Sequence, residues 1–135
     1  MTALVAMLII AALVSATAMR VDEERRASRA ITLQHVALAS AEGAVWRTFV
    51  SADAQMLRAA PIGLSSQATS TVDGLTQKVT VTKIDTAMVW IVGSTQIQHG
   101  REVAAHRVAL WALLPSDTIS TRLTPLPGGA WADLY

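Results

Sequence analysis

Met1 to Met19, MTALVAMLIIAALVSATAM, carries no charge, and the ten residues that follow, Arg20 to Arg29 (RVDEERRASR), carry seven charges of both signs. At 1.5 Å rise per residue, nineteen helical residues reach roughly 29 Å, close to the hydrocarbon thickness of a bilayer. The stretch reads as a transmembrane helix over 1–19 that stops at a charged collar. A removed signal peptide is the competing reading, because Ser15-Ala16-Thr17-Ala18 resembles a cleavage site. Against it, no Lys or Arg precedes the apolar run to form a basic n-region. Arg20, Arg25, Arg26 and Arg29 all follow the span, which by the positive-inside rule puts the C-terminal part in the cytoplasm. A basic leader cut away before Met1 would reverse that topology. Ala6, Ala12 and Ala16 lie among other small residues of the span, and such surfaces let neighbouring helices approach closely.

Helical character continues past the collar. From Val21 to Ala60 there is no proline, alanine is abundant and Gly43 is the only strong helix-weakening residue. Ile31, Leu38, Val45 and Ala52 recur every seven residues, with Ala41 and Phe49 beside them, so an amphipathic extension is expected over 20–60 and an end at Pro61. In the collar, Asp22 stands at helical neighbour spacing to Arg25 and Arg26. These charges either pair along the helix, form a solvated face at the membrane boundary, or set a register against charged helices of other subunits.

Beyond Pro61 the composition turns β-branched. Gln77–Asp85 (QKVTVTKID), Met88–Gln98 (MVWIVGSTQIQ) and Glu102–Leu114 (EVAAHRVALWALL) are strand-like, and a shorter strand is expected near Ala68–Val72. Asp73-Gly74 and His99-Gly100 suit two-residue hairpin turns because they tolerate positive φ. The expected fold class is α+β: a long N-terminal helix followed by a small antiparallel sheet over 61–114, packed on the helix's outer half. Residues 115–135 form a Pro/Gly-rich tail that ends in Trp131, Leu134 and Tyr135. An ending of that kind docks on its own sheet or anchors an interface.

The chain of 135 residues has a net charge of +1 and no cysteine. Arg20–Ala60 holds six basic and five acidic residues, and 61–135 holds five of each, so no basic run points to nucleic acid. His35, His99 and His106 lack a second ligand at metal-binding spacing, and neither a nucleophile elbow nor a phosphate-binding glycine loop is present. No enzyme activity, metal or cofactor is expected. Trp46, Trp90 and Trp111 read first as core and then as contact residues.

An apolar helix near the chain start, a charged stretch, an amphipathic continuation that includes Ala39-Ser40-Ala41-Glu42-Gly43-Ala44, and a succeeding antiparallel sheet together resemble type IV pilin-like proteins, most closely minor pilins and K-type pseudopilins. The resemblance covers the first half of the chain best. It implies a leader removed by a prepilin peptidase, a single-pass helix in the inner (cytoplasmic) membrane, and a periplasmic or extracellular sheet domain. Most pilins carry a glutamate where this chain has Val5. K-type pseudopilins lack that acid too, which favours a minor or tip-like role over that of a major pilin.

The expected function is thus a non-enzymatic, membrane-anchored structural subunit that assembles through its N-terminal helix. The alternative is a single-pass accessory subunit bracing a larger membrane complex of respiratory or photosynthetic type. The expected partners are membrane lipids and other transmembrane helices, either copies of the chain or unrelated subunits. Interface candidates are Ala6, Ala12 and Ala16 in the span, Arg25 and Arg26 in the collar, Ile31, Leu38, Val45, Trp46 and Phe49 on the extension, and Trp131 and Tyr135 in the tail.

Overall fold

The computed structural model describes residues 2–72, 74–100, 102–116 and 120–134. The chain is α+β, with helix α1 (Thr2–Ser51), a short helix α2 (Ala54–Ala59) and six strands: β1 (Ser65–Val72), β2 (Leu75–Lys83), β3 (Met88–His99), β4 (Glu102–Leu113), β5 (Thr124–Pro125) and β6 (Trp131–Asp133). It divides into two units, Met1–Leu33 and Gln34–Tyr135.

The first unit is helical. The side chains of residues 5–32 are exposed, and the apolar window within α1 is long and apolar enough to cross a membrane, with none of it buried. Near the end of the 1–19 segment, Thr17 Oγ1 donates to Leu13 O at 2.7 Å and Val14 O at 3.0 Å, so its polar group is satisfied inside the helix.

The second unit is a helix laid on an antiparallel sheet of order β1-β2-β3-β4-β5, with β6 also paired to β4. β1 and β2 close at the expected turn: Val72 faces Leu75, and Gly74 has φ 76°. β3 runs one residue further than expected. His99 pairs with Glu102, so it belongs to the strand, and Gly100 carries the positive φ of 63°. β1 starts at Ser65, ahead of its expected start, and every one of its residues is exposed.

The buried stripe of α1 is Ala37, Ala41, Ala44, Val45 and Phe49, and the last four cluster with Val79, Val89, Ile91, Val108 and Leu110. Relative to the seven-residue seam expected from sequence, this stripe is rotated by roughly 50°. Alanines take the central places, and Leu38 is only partly buried beside them. The cause is the closeness of helix to sheet. At Gly93 an added Cβ would lie 2.5 Å from Val45 Cγ2 and 2.9 Å from Ala41 O, so the helix backbone sits almost on the strand. At this crossing Val45 fits only because its partner on the strand has no side chain.

Polar groups caught in this layer are paired. Gln77 accepts from Arg47 Nη2 at 2.6 Å and donates through Nε2 to Ser40 Oγ at 2.7 Å, while Thr95 Oγ1 lies 3.4 Å from the same hydroxyl. Buried amides and hydroxyls cost stability unless bonded, so this set holds the helix at one register over β2 and β3.

The helical segment does not run unbroken to Pro61. It stops at Ser51, and Asp53, with extended backbone, caps α2 by accepting from Gln55 N at 2.8 Å. Aspartate competes for backbone donors and favours this position over a helix interior. Ala54 N donates to Thr121 O at 3.0 Å, so the tail also fixes the break. Buried Lys83 Nζ donates to Arg58 O at 2.7 Å and Ala60 O at 2.8 Å, satisfying carbonyls at the C-terminal end of α2.

Residues 120–134 are not simply a loop. β5 pairs Thr124 and Pro125 with Leu113 and Ala112, and β6 pairs Trp131, Ala132 and Asp133 with Leu110, Ala109 and Val108. Leu123 enters the core. The tail thereby covers the edge of β4.

Candidate assembly surfaces

In the first unit, Ala6, Ala12 and Ala16 are exposed, as are Arg25 and Arg26. Among the described residues the collar forms no ion pair within 4.0 Å, so the pairing of Asp22 with Arg25 or Arg26 is not made. Hydrated charges gain little from pairing and lose side-chain entropy when held. Ile31 is 54% exposed and takes no part in the core.

The second unit separates the remaining candidates. Val45 and Phe49 are buried against the chain's own sheet and Leu38 packs beside them, so these three side chains stabilise the fold. Each fully buried side chain of this size contributes about 1.5–3 kcal/mol. Trp46, by contrast, is half exposed, and its ring stacks on Phe49 with centroids 5.2 Å apart. Trp131 is 46% exposed and sits in β6. Tyr135 lies outside the described residues.

Around Trp46 lies a feature that the seven-residue seam concealed. Val36, Ala39, Gly43, Trp46 and Val50 follow an alternating spacing of three and four residues and share one face of α1. That face is roughly 180° from the stripe on the sheet. Val36 is 43% exposed and Val50 63% exposed, and Ala39 is exposed between them. A Cβ at Gly43 would meet only Arg47 Nη1, at 3.5 Å. The helix is therefore apolar on two opposite sides: one side is covered by the sheet and the other by nothing in the described residues. Val36, Gly43 and Val50 recur every seven residues, which was the signal available in sequence. It was masked because Leu38 and Val45 carry a bulkier pattern beside it.

The sheet face turned away from α1 carries Trp90 stacked on Trp111, with ring centroids 5.3 Å apart. His106 Nε2 stands 2.7 Å from Asp133 Oδ1, tying β6 to β4 on the other face. Among the described residues no group of three or more His, Asp or Glu side chains is arranged to hold a metal. No family model, curated protein or solved structure matches the chain.

Proposed function

We propose that this chain is a membrane-anchored structural subunit that assembles through α1, in the manner of type IV pilin-like proteins of the minor-pilin and K-type pseudopilin branch. In this reading, residues of the 1–19 segment hold the subunit in the inner membrane, and the sheet unit is exported to the periplasmic or outer side. The observation that carries the proposal is the second apolar stripe, Val36, Ala39, Gly43, Trp46 and Val50. A helix needs one apolar face to cover its own sheet, and a second, on the opposite side, fits another helix. Gly43 and Ala39 allow close approach, and Trp46 supplies the large contact area typical of an interface anchor. Arg25 and Arg26 face solvent and are available to acidic groups of neighbouring helices.

A second reading is a single-pass accessory subunit in a heteromeric membrane complex; Val5, standing where most pilins carry the acid of subunit-to-subunit pairing, is compatible with it as well as with the K-type branch. The test is the particle purified in mild non-ionic detergent. Association through α1 with copies of itself or with other pilin-like chains, lost in the variant Val36→Lys/Val50→Lys with an unchanged thermal melt of the sheet unit, is the expected result. One copy held among unrelated chains would reject the filament and establish the accessory role.

A further inference from the structure

The strand register places a row of residues across the sheet face that is turned away from α1. Lys78 faces Ser94, and Ser94 faces Arg107, so two cations flank a hydroxyl on three adjacent strands. With neighbouring strands 4.7–4.9 Å apart, their backbones stand about 9–10 Å from each other. Thr80 and Val92 form the next row, followed by Thr82, Trp90 and Trp111. Leu134 closes one side, its N–H bonded to Arg107 O at 2.9 Å. Lys78, Ser94, Arg107 and Leu134 line two adjoining open hollows of about 720 and 290 Å³, which together form a groove: the smaller adds Thr80, Thr82, Trp90 and Val92 of this face, and the larger runs past Gln96 to Thr95, His106 and Gln34 on the helix side.

The chemistry of this groove is one-sided. Lys78 and Arg107 are exposed, and neither has an acidic partner within 4.0 Å among the described residues. By register, no described Asp or Glu belongs to this face of β1 to β4. Asp133 is engaged at 2.7 Å by Nε2 of His106, a residue that lines the larger hollow from the helix side. Asp85, in the β2–β3 turn, is occupied by the N–H groups of Ala87 and Met88 at 2.6 and 2.7 Å. Most other positions are neutral hydrogen-bonding groups: Thr76, Thr80, Thr82 and Gln96, with Gln67, Thr69 and Thr71 on β1. The Trp90 indole N–H has no partner among the described residues.

We infer that this groove binds an acidic polysaccharide, a glycan in which carboxylates are spaced among neutral hydroxyls. Two cations carried on strands about 9–10 Å apart match sparse negative charge, the threonine and glutamine field matches sugar hydroxyls, and Trp90, backed by Trp111, offers an apolar wall for a sugar ring. Single-stranded nucleic acid fits less well. It carries one charge per nucleotide and is held by several separate aromatic platforms along a basic track. The inference uses only side chains of the Gln34–Tyr135 unit and does not rest on the assembly reading.

The test is fluorescence anisotropy of labelled oligogalacturonate titrated with the full-length protein in non-ionic detergent. Expected are saturable binding that weakens as salt rises, a loss of about tenfold in the variant Lys78→Gln/Arg107→Gln, and at least about tenfold weaker binding of a neutral maltooligosaccharide and of single-stranded DNA. Both substituted residues are exposed, so the variant keeps the parental melt. Trp90→Leu provides the second measurement and should weaken the oligouronate by several-fold, since it removes the ring wall and leaves both charges. Absence of binding, indifference to both variants, or tighter binding of DNA would each overturn the glycan site.

Discussion

At Gly93 the whole helix-on-sheet layer depends on a missing side chain. A Cβ would overlap Val45 Cγ2 at 2.5 Å and the Ala41 carbonyl at 2.9 Å, and the second of these is backbone that cannot rotate away. Gly93→Val should therefore lower stability by about 3 kcal/mol, toward the upper range for overpacking, because α1 must lift from β3 along its length. Denaturant titration of the detergent-solubilised protein checks this, and a loss under about 1 kcal/mol would mean that the helix shifts freely. Sequence alone showed Gly93 only as a glycine inside a strand pattern, since its role comes from a helix half the chain away. The Ser40, Arg47, Gln77 and Thr95 set was equally hidden: each residue reads as polar surface until the register puts them in one layer. The groove residues Lys78 and Arg107 were visible as charges, but their alignment needed the pairing of β2, β3 and β4.

Among the elements, local signals decided what was legible. The hairpins were readable because Gly74 and Gly100 occupy positions that require positive φ, and the strands because β-branched residues cluster between them. The break after Ser51 escaped notice because Asp53 sits in an alanine-rich stretch with no Pro or Gly to punctuate it. β6 escaped because its pairing is tertiary: Trp131, Ala132 and Asp133 are strand only by lying along β4. That contact gives a direct prediction. Ending the chain after Ala130 removes the three paired positions and the bond from Leu134 N to Arg107 O, while keeping the bond from Trp111 N to Ala130 O. With roughly 1 kcal/mol for each net hydrogen bond lost, stability should fall by about 2–3 kcal/mol. Hydrogen exchange at the Ala109 amide, the N–H of this stretch that points to β6, should quicken selectively. Unchanged exchange there would show that β6 contributes nothing to the sheet.

For the whole molecule, the division of labour within α1 is testable by cutting it. Every residue of the buried cluster, from Ala41 to Leu123, lies in the Gln34–Tyr135 unit, and no residue of 5–32 is buried. Helices in folded proteins owe most of their stability to tertiary packing, and what holds the remainder of α1 is the packing of Ala41, Ala44, Val45 and Phe49 on the sheet. A chain starting at Gln34 should therefore fold cooperatively, with a melting temperature within a few degrees of the full-length protein, because no buried apolar area is lost. It should also stay in solution in a vesicle flotation assay in which the full-length protein rises with the lipid, since the apolar window at the start of α1 is gone. The two readouts separate the claims. A fragment without a cooperative melt would mean that the sheet unit needs residues before Gln34, and a folded fragment that still floats would move membrane binding from the first helix to the sheet unit.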